Sequence, residues 1–240
     1  MGFFVEFLFN QSITKIMPDK LILKQNLFNQ INILADEKYF IAIDKPAGIS
    51  VHNDHLSLES WLSKNKLSNH FVNRLDEATS GIMLISKSSE MHQPLSEALQ
   101  LGEKKYWAIV RGTWKSASTE FTWDWPLTDK AEGFKKPEGD KKNQIPCLTI
   151  GKVLLTNKYF TKLECTLKTG RQHQIRKHAA LARHPILGDN RYNQKNYNEK
   201  IFKLYNFQRM LLHSFNLKFE FKSNSFHLTS NQFNYDSLLQ

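Results

Sequence analysis

An α+β fold with a mixed, largely antiparallel sheet is predicted by three features of the sequence. Short apolar runs rich in aromatic and β-branched residues recur at 39–43, 82–86 and 106–110. Segments of helical spacing fall between some of these runs but not all, so the regular alternation of a doubly wound parallel sheet is missing. No internal repeat is present, which sets aside a solenoid.

The elements follow in order. The opening Phe3-Phe4-Val5-Glu6-Phe7-Leu8-Phe9 has the look of a secretion signal, but it is short, is broken by Glu6, and lacks a basic leader and a small-residue cleavage site. It is expected to be a strand, a tail or an over-long start, with Met17 an alternative initiator. Ile33-Leu34 and Tyr39-Phe40-Ile41-Ala42-Ile43 read as strands, the second ending at a Lys45-Pro46-Ala47-Gly48 turn. Leu58, Trp61 and Leu62 recur at helical spacing behind Ser57, a good N-cap, predicting a short helix over 57–65. A strand over Ile82–Ser86 follows, then a helical face of Met91, Leu95, Ala98 and Leu99. Pro94 predicts that this helix starts or kinks there. Tyr106–Val110 is a strand stopped by Gly112. Leu163, Cys165 and Leu167 alternate with polar residues in a half-buried strand running into Thr169-Gly170. His173, Ile175, Ala179 and Ala182 then continue at helical spacing until Pro185 and Gly188. Residues 131–146 hold Lys135, Lys136, Lys141 and Lys142 with no apolar period and are expected to be a loop or mobile insertion. Residues 193–200 are strongly polar.

With 33 Lys and Arg against 23 Asp and Glu, the formal net charge of +10 predicts a positive field that attracts a polyanion. An anionic membrane is the weakest of the polyanions, because no stretch approaches the roughly 18 consecutive apolar residues of a spanning helix. The two cysteines, Cys147 and Cys165, have no metal-ligand spacing and read as reduced thiols of a cytoplasmic protein. His173 and His178, five residues apart, are poorly spaced to share a metal on one helix face, so no metal site is expected. No phosphate loop or dinucleotide motif is present either.

Two stretches carry the chemistry. Asn73-Arg74-Leu75-Asp76-Glu77-Ala78-Thr79-Ser80-Gly81 places a carboxylate just before a turn and an apolar strand. Gly170-Arg171-Gln172-His173-Gln174-Ile175-Arg176 places a basic and amide cluster where strand passes to helix. A helix N-terminus adds partial positive charge and free N–H groups to the pull on an anion. Singly, Asp76 is an ordinary turn residue, Tyr106 an ordinary core residue, and Arg171 and Arg176 ordinary solvated cations.

The ordered set of motifs overturns those readings. The chain resembles the RluA family of RNA pseudouridine synthases, whose H-R-L-D-x-x-T-S-G signature appears here as residues 73–81. Lys45-Pro46-Ala47-Gly48 is similar to the family's K-P-x-G turn and Lys105-Tyr106-Trp107-Ala108 to its K-x-Y-x-A strand. Residues 170–176 match G-R-x-H-Q-I/L-R, His184-Pro185-Ile186-Leu187-Gly188-Asp189 the H-P-I-x-G-D turn, and Arg209-Met210-Leu211-Leu212-His213 the R-x-x-L-H segment. The likeness spans about Ile33 to Leu217. Two departures stand out. Asn73 replaces the usual His, without loss of activity expected. The thirty or so residues ahead of the motifs are too few for the S4 RNA-binding domain of many members, so 1–30 is expected to be an extension and 31–240 the catalytic domain.

The resemblance implies a central active-site cleft across the sheet and a cofactor-free isomerisation of uridine to pseudouridine in structured rRNA or tRNA. It assigns catalysis to Asp76, Tyr106 and Arg171. Asp76 acts near the sugar, with attack on C1′, attack on the base and abstraction of the C2′ proton all left open. Arg171 is expected to hold that carboxylate ionised, and Tyr106 to lie against the base, a contact typically worth about 1–3 kcal/mol. Arg74, His173, Gln174 and Arg176 are assigned to RNA, Arg74 by filling the stack vacated when the uridine flips out, at a cost of about a few kcal/mol. A monomer with no protein partner is the expected state. One rival is a catalytically idle RNA-binding protein on the same scaffold, whose biological effect would survive loss of Asp76. Another is a metal-dependent nuclease, which needs a carboxylate cluster where only Asp76 and Glu77 adjoin.

Overall fold

The computed structural model describes residues 26–52 and 55–240, so Phe3–Phe9, Met17 and nearly all of the expected 1–30 extension lie outside the described residues. Twelve strands alternate irregularly with four α-helices among the described residues after 30, and residues 26–28 are helical as well. β1 (Asn32–Asp36) and β2 (Phe40–Lys45) precede α1 (Leu58–Lys64), β3 (His70–Phe71), β4 (Ser80–Ser86), α2 (Ser89–Leu101) and β5 (Glu103–Arg111). β6 (Glu120–Trp123), β7 (Leu127–Thr128), β8 (Gln144–Ile145), β9 (Thr149–Thr156) and β10 (Phe160–Leu167) lead to α3 (Gln174–Leu181) and α4 (Lys195–Tyr205). β11 (Leu212–Phe221) and β12 (Asn224–Thr229) end the series.

A ten-stranded sheet runs β1-β2-β4-β11-β5-β10-β9-β6, with β12 paired to β11 and β3 to β4. Its pairs are antiparallel except β4 with β11, which meet in parallel at Ser80–His213 and Gly81–Ser214. The predicted class therefore holds. β11 is inserted at the centre, between strands far earlier in the chain, and it joins the half bearing Asp76 to the half bearing Tyr106.

The alternation of side chains sorts the core onto two faces. Ile41, Ile43, Met83 and Ile85 face one cluster with Leu58 and Leu62 of α1 and Ile175 and Ala179 of α3. Phe40, Ala42, Ile82 and Leu84 face the other, with Leu95 and Leu99 of α2. β2 and β4 are thus buried on both sides, which is why each reads as an unbroken apolar run. Ser57 caps α1 by accepting from the Ser60 amide at 3.3 Å, as its position predicts. The fully buried Leu58 and Leu62 each contribute about 1.5–3 kcal/mol of burial.

One local expectation is corrected and two segments gain detail. α2 begins at Ser89 and runs through Pro94; proline leaves the Glu90 carbonyl without its helical partner, which is tolerated because both residues are exposed to solvent. The polar run at 193–200 opens α4, whose inward face is set by Asn198 and Ile201. The lysine-rich 131–146 segment is a loop, as expected, through residues 131–140, and is tied down by the β7–β8 hairpin and a 3₁₀ turn at Lys141–Asn143.

Candidate active site

Asp76 sits on the loop between β3 and β4, and two neighbours fix that loop. On one side Gly81 adopts φ +115°, where a Cβ would come within 2.2 Å of the Ser214 carbonyl oxygen. Only glycine allows β11 to approach so closely. On the other side, the buried Lys45 ammonium donates to the carbonyls of Pro46 and Ile49 at 3.0 Å and of Glu77 at 3.2 Å. The Gly48 amide also donates to the Glu77 carbonyl, at 2.7 Å. The K-P-x-G turn thereby holds the residue next to Asp76. Burial, with the nearby Arg209, lowers the Lys45 pKa to about 7. Asn73 accepts from the Leu84 amide at 2.7 Å and donates to the Ile82 carbonyl at 3.3 Å, so the side chain standing for the usual His stitches the loop to β4.

The guanidinium against Asp76 belongs to Arg176. Its Nη1 donates to Asp76 Oδ2 at 2.7 Å, while Nε and Nη2 donate to Asp189 Oδ2 and Oδ1 at 2.8 and 2.9 Å. Arg176 is 7% exposed and Asp189 1%. Burial alone would lower the Arg176 pKa, but hydrogen bonding and charge from Asp189, followed by Asp76, raise it above the usual arginine value. The fork is thus locked as a cation and oriented by Asp189, presenting its remaining arm to Asp76.

His173 closes the other side of the carboxylate. It precedes α3 in a left-handed conformation (φ 58°), and its Nε2 lies 3.5 Å from Asp76 Oδ1. Nδ1 is 3.0 Å from the Tyr192 hydroxyl. Burial lowers the His173 pKa to about 4 despite Asp76, so the ring is neutral at pH 7. Burial also raises the Tyr192 pKa, keeping its hydroxyl protonated. The consistent tautomer has Tyr192 donating to Nδ1 and the Nε2 proton facing Asp76.

Tyr106, on β5, lies opposite Ser214 of β11. Burial pushes its pKa up to about 12; Ser214 opposes the shift and the Asp76 charge adds to it. The phenol is therefore protonated at neutral pH. A cavity of about 480 Å³ opens beside Arg176, lined also by Ala78, Gly188, Asn190, Arg191 and Met210 among others. Gly188, at φ +75°, passes so close to Arg209 that a Cβ would lie 2.1 Å from its carbonyl oxygen.

The structure brings Asp76, Arg176 and His173 together, with Tyr106 close enough to sense the carboxylate. It does not place Arg171 on Asp76. The left-handed turn at His173 separates Arg171 from the helix and points residues 174–179 inward, so the fifth residue on meets the carboxylate instead. The Arg171 amide donates to Gln174 Oε1 at 3.0 Å, and its buried Nε has no hydrogen-bond partner. Gln174 is not presented to RNA either. It is 2% exposed, accepts from Arg171 and Thr169, and donates to Leu148 and Thr149. Arg74, two residues before Asp76, is exposed. Lys45, Asp189 and Tyr192 were given no role by sequence reasoning, although Lys45 and Asp189 stand in the K-P-x-G and H-P-I-x-G-D motifs. Among the described residues no group of three or more His, Cys, Asp or Glu is placed to hold a metal ion.

Residues 39–181 match the family model described as RNA pseudouridylate synthase. The chain belongs to that family. A relative called tRNA pseudouridine synthase C from Vibrio cholerae is 30% identical, with 79% of this chain and 85% of that protein covered. A tRNA pseudouridine synthase C from Haemophilus ducreyi is 33% identical over 77% of this chain and 83% of its own length. Ribosomal large subunit pseudouridine synthase C from Buchnera aphidicola is 32% identical over 82% of this chain but 64% of its own length. Human RNA pseudouridylate synthase domain containing 1 shares the fold at a TM-score of 0.72, with 21% identity over 88% of this chain and 87% of that one. As a pseudouridylate synthase the chain is an isomerase that converts uridine to pseudouridine in RNA. Among the described residues no helix is long and apolar enough to cross a membrane.

Proposed function

We propose that this enzyme isomerises uridine in tRNA, with Asp76 as its catalytic carboxylate and Tyr106 against the target base. The reading rests chiefly on one observation: Asp76 is held by Arg176, which lines an open cleft and is itself fixed by Asp189. In the reaction the bond from uracil N1 to C1′ breaks, the base turns, and C5 bonds to C1′. The C5 proton leaves to solvent while N1 regains one, so the product is an isomer and no oxidant or reductant is consumed.

The chain's own groups meet those demands. The Arg176 cation orients the Asp76 carboxylate for its role at the ribose. Neutral His173 supplies an N–H toward the other carboxylate oxygen without adding charge. Tyr106, protonated, offers a ring face for the base and a hydroxyl for proton movement. Arg74 is exposed on the same loop and suited to fill the gap left by the flipped nucleotide. The positive surface supplies affinity that weakens as salt rises.

Relatives of similar length carry tRNA in their names, whereas the ribosomal relatives from Buchnera aphidicola and Pasteurella multocida have 64% and 63% of their own lengths covered. That favours tRNA over rRNA as the substrate. Residues 31–240 form the catalytic domain, acting as a cytoplasmic monomer without cofactor. The test is tritium release from tRNA and rRNA transcripts labelled at uridine C5, with wild type and Asp76→Asn compared in EDTA. Release from tRNA that the substitution abolishes is expected. Release by Asp76→Asn at the wild-type rate would remove Asp76 from its role, and release from rRNA alone would reassign the substrate.

A further inference from the structure

A second cavity, of about 230 Å³, lies beside the cleft, lined by Arg111, Phe134, Arg183, Tyr192 and Gln194 among others. The wall between the two is thin. Gly133 lines the cleft and Phe134 the second cavity. Tyr192 lines the second cavity too, with its hydroxyl on the ring that faces Asp76.

The chemistry of this cavity differs from that of a solvated surface dip. Arg183 is exposed at a left-handed residue beyond α3 (φ 62°) and forms no ion pair among the described residues. Arg111 lies over the Tyr197 ring at 4.0 Å and donates to Gln194 Oε1 at 3.3 Å, again with no carboxylate neutralising it among the described residues. Phe134 is 48% exposed and is followed by the exposed Lys135 and Lys136. Its loop is anchored: Arg191 donates to the Ala131 and Glu132 carbonyls at 3.2 and 3.3 Å, the Gln172 amide to Asp129 Oδ1 at 2.7 Å, and Lys177 to the Thr128 carbonyl at 2.7 Å. Holding an exposed aromatic ring in place beside two unneutralised guanidiniums matches one kind of ligand, an anion joined to a flat ring.

We propose that this cavity is a second RNA subsite, taking a nucleotide that flanks the target uridine. Its phosphate sits between Arg111 and Arg183 and its base stacks on Phe134. The assignment deepens the function proposed above and rests on it. Because consecutive residues line the two cavities, Gly133 and Arg191 in the cleft and Phe134 and Tyr192 in this one, a strand that delivers one nucleotide to the cleft carries its neighbour to this cavity. The 129–143 loop then sets which sequence context is accepted, by what it allows next to the target.

The test is steady-state tritium release, over a range of salt concentrations, from the transcript that wild type modifies best, using wild type, Phe134→Ala and Arg183→Ala. Both side chains are exposed and outside the catalytic machinery. Phe134→Ala is expected to raise KM about fivefold or more, with kcat within about twofold. Arg183→Ala is expected to raise KM and to flatten the logarithmic salt slope by roughly 0.7. Wild-type KM and slope in both variants overturn the subsite and leave the proposed function intact. A fall in kcat at unchanged KM overturns it as well. No release by the wild-type protein from any transcript overturns the proposed function and the subsite with it.

Discussion

Arg176→Lys isolates what the shared guanidinium does. The arginine makes three charge-assisted hydrogen bonds, at 2.7 Å to Asp76 and at 2.8 and 2.9 Å to Asp189. A lysine keeps the charge but has no planar fork, so it cannot hold Asp189 through two bonds and still reach Asp76. Hydrogen bonds to charged groups are worth about 1.5–3 kcal/mol each, and the nearly inaccessible Asp189 would be left partly paired. A net loss of about 2–4 kcal/mol is expected, lowering Tm by about 4–16 °C for a chain of this size. The lost Asp76 contact, at about 1.5–3 kcal/mol, corresponds to a fall in kcat of roughly 10- to 150-fold. Thermal melting and C5 tritium release measure the two effects. Asp76→Asn separates them: activity is lost, while Tm changes little because Arg176 retains Asp189. A lysine variant with Tm within about 2 °C and kcat within about twofold of wild type would refute the reasoning.

Lys45→Met removes a buried amine whose folded pKa, about 7, lies below its unfolded value of 10.5. Between those values the unfolded chain binds the extra proton, so wild type should gain stability over the variant as pH rises from about 7 to 10, by an amount on the order of a few kcal/mol in paired urea melts. A difference independent of pH would mean that the amine's pKa is not depressed. Gly81→Ala forces a Cβ against the Ser214 carbonyl at a positive φ and is expected to destabilise by about 2–6 kcal/mol, read as a lowered urea midpoint or loss of soluble protein. Arg74→Ala touches an exposed side chain, so Tm should stay within about 2 °C while tritium release from structured RNA falls about tenfold or more. Equal activity would remove Arg74 from the flipping step.

What was legible in the sequence was local. The cap at Ser57, the doubly buried runs of β2 and β4, and the strand-to-helix passage after Gly170 all follow from the identities of neighbouring residues. The partner of Asp76 was not legible, because one left-handed residue, His173, decides whether position 171 or 176 faces inward. Nor was the central place of β11: its pairing with β4 joins residues more than 130 positions apart, and nothing in either segment alone announces it. α4 was hidden by polar residues, since its contact with the core rests on few apolar side chains, such as Ile201. Asp189 was visible as a motif residue but mute as to role. A carboxylate that orients an arginine is recognised only once the third group, Asp76, is seen on the same guanidinium.

The central seat of β11 also governs when the enzyme comes into being during its own synthesis. The residues lining the cleft lie between Ala78 and Met210, yet the strand that binds their two halves is translated after all of them. A nascent chain halted before Leu212 exposes the open edges of β4 and β5 and holds Asp76 apart from Tyr106. Assembly of the site is therefore a late, long-range closure, of the kind that folds slowly and leaves unpaired strand edges vulnerable until it is done. Until β11 has been made, the precursor is inert, and the ability to act on RNA arises only as β11 slides home.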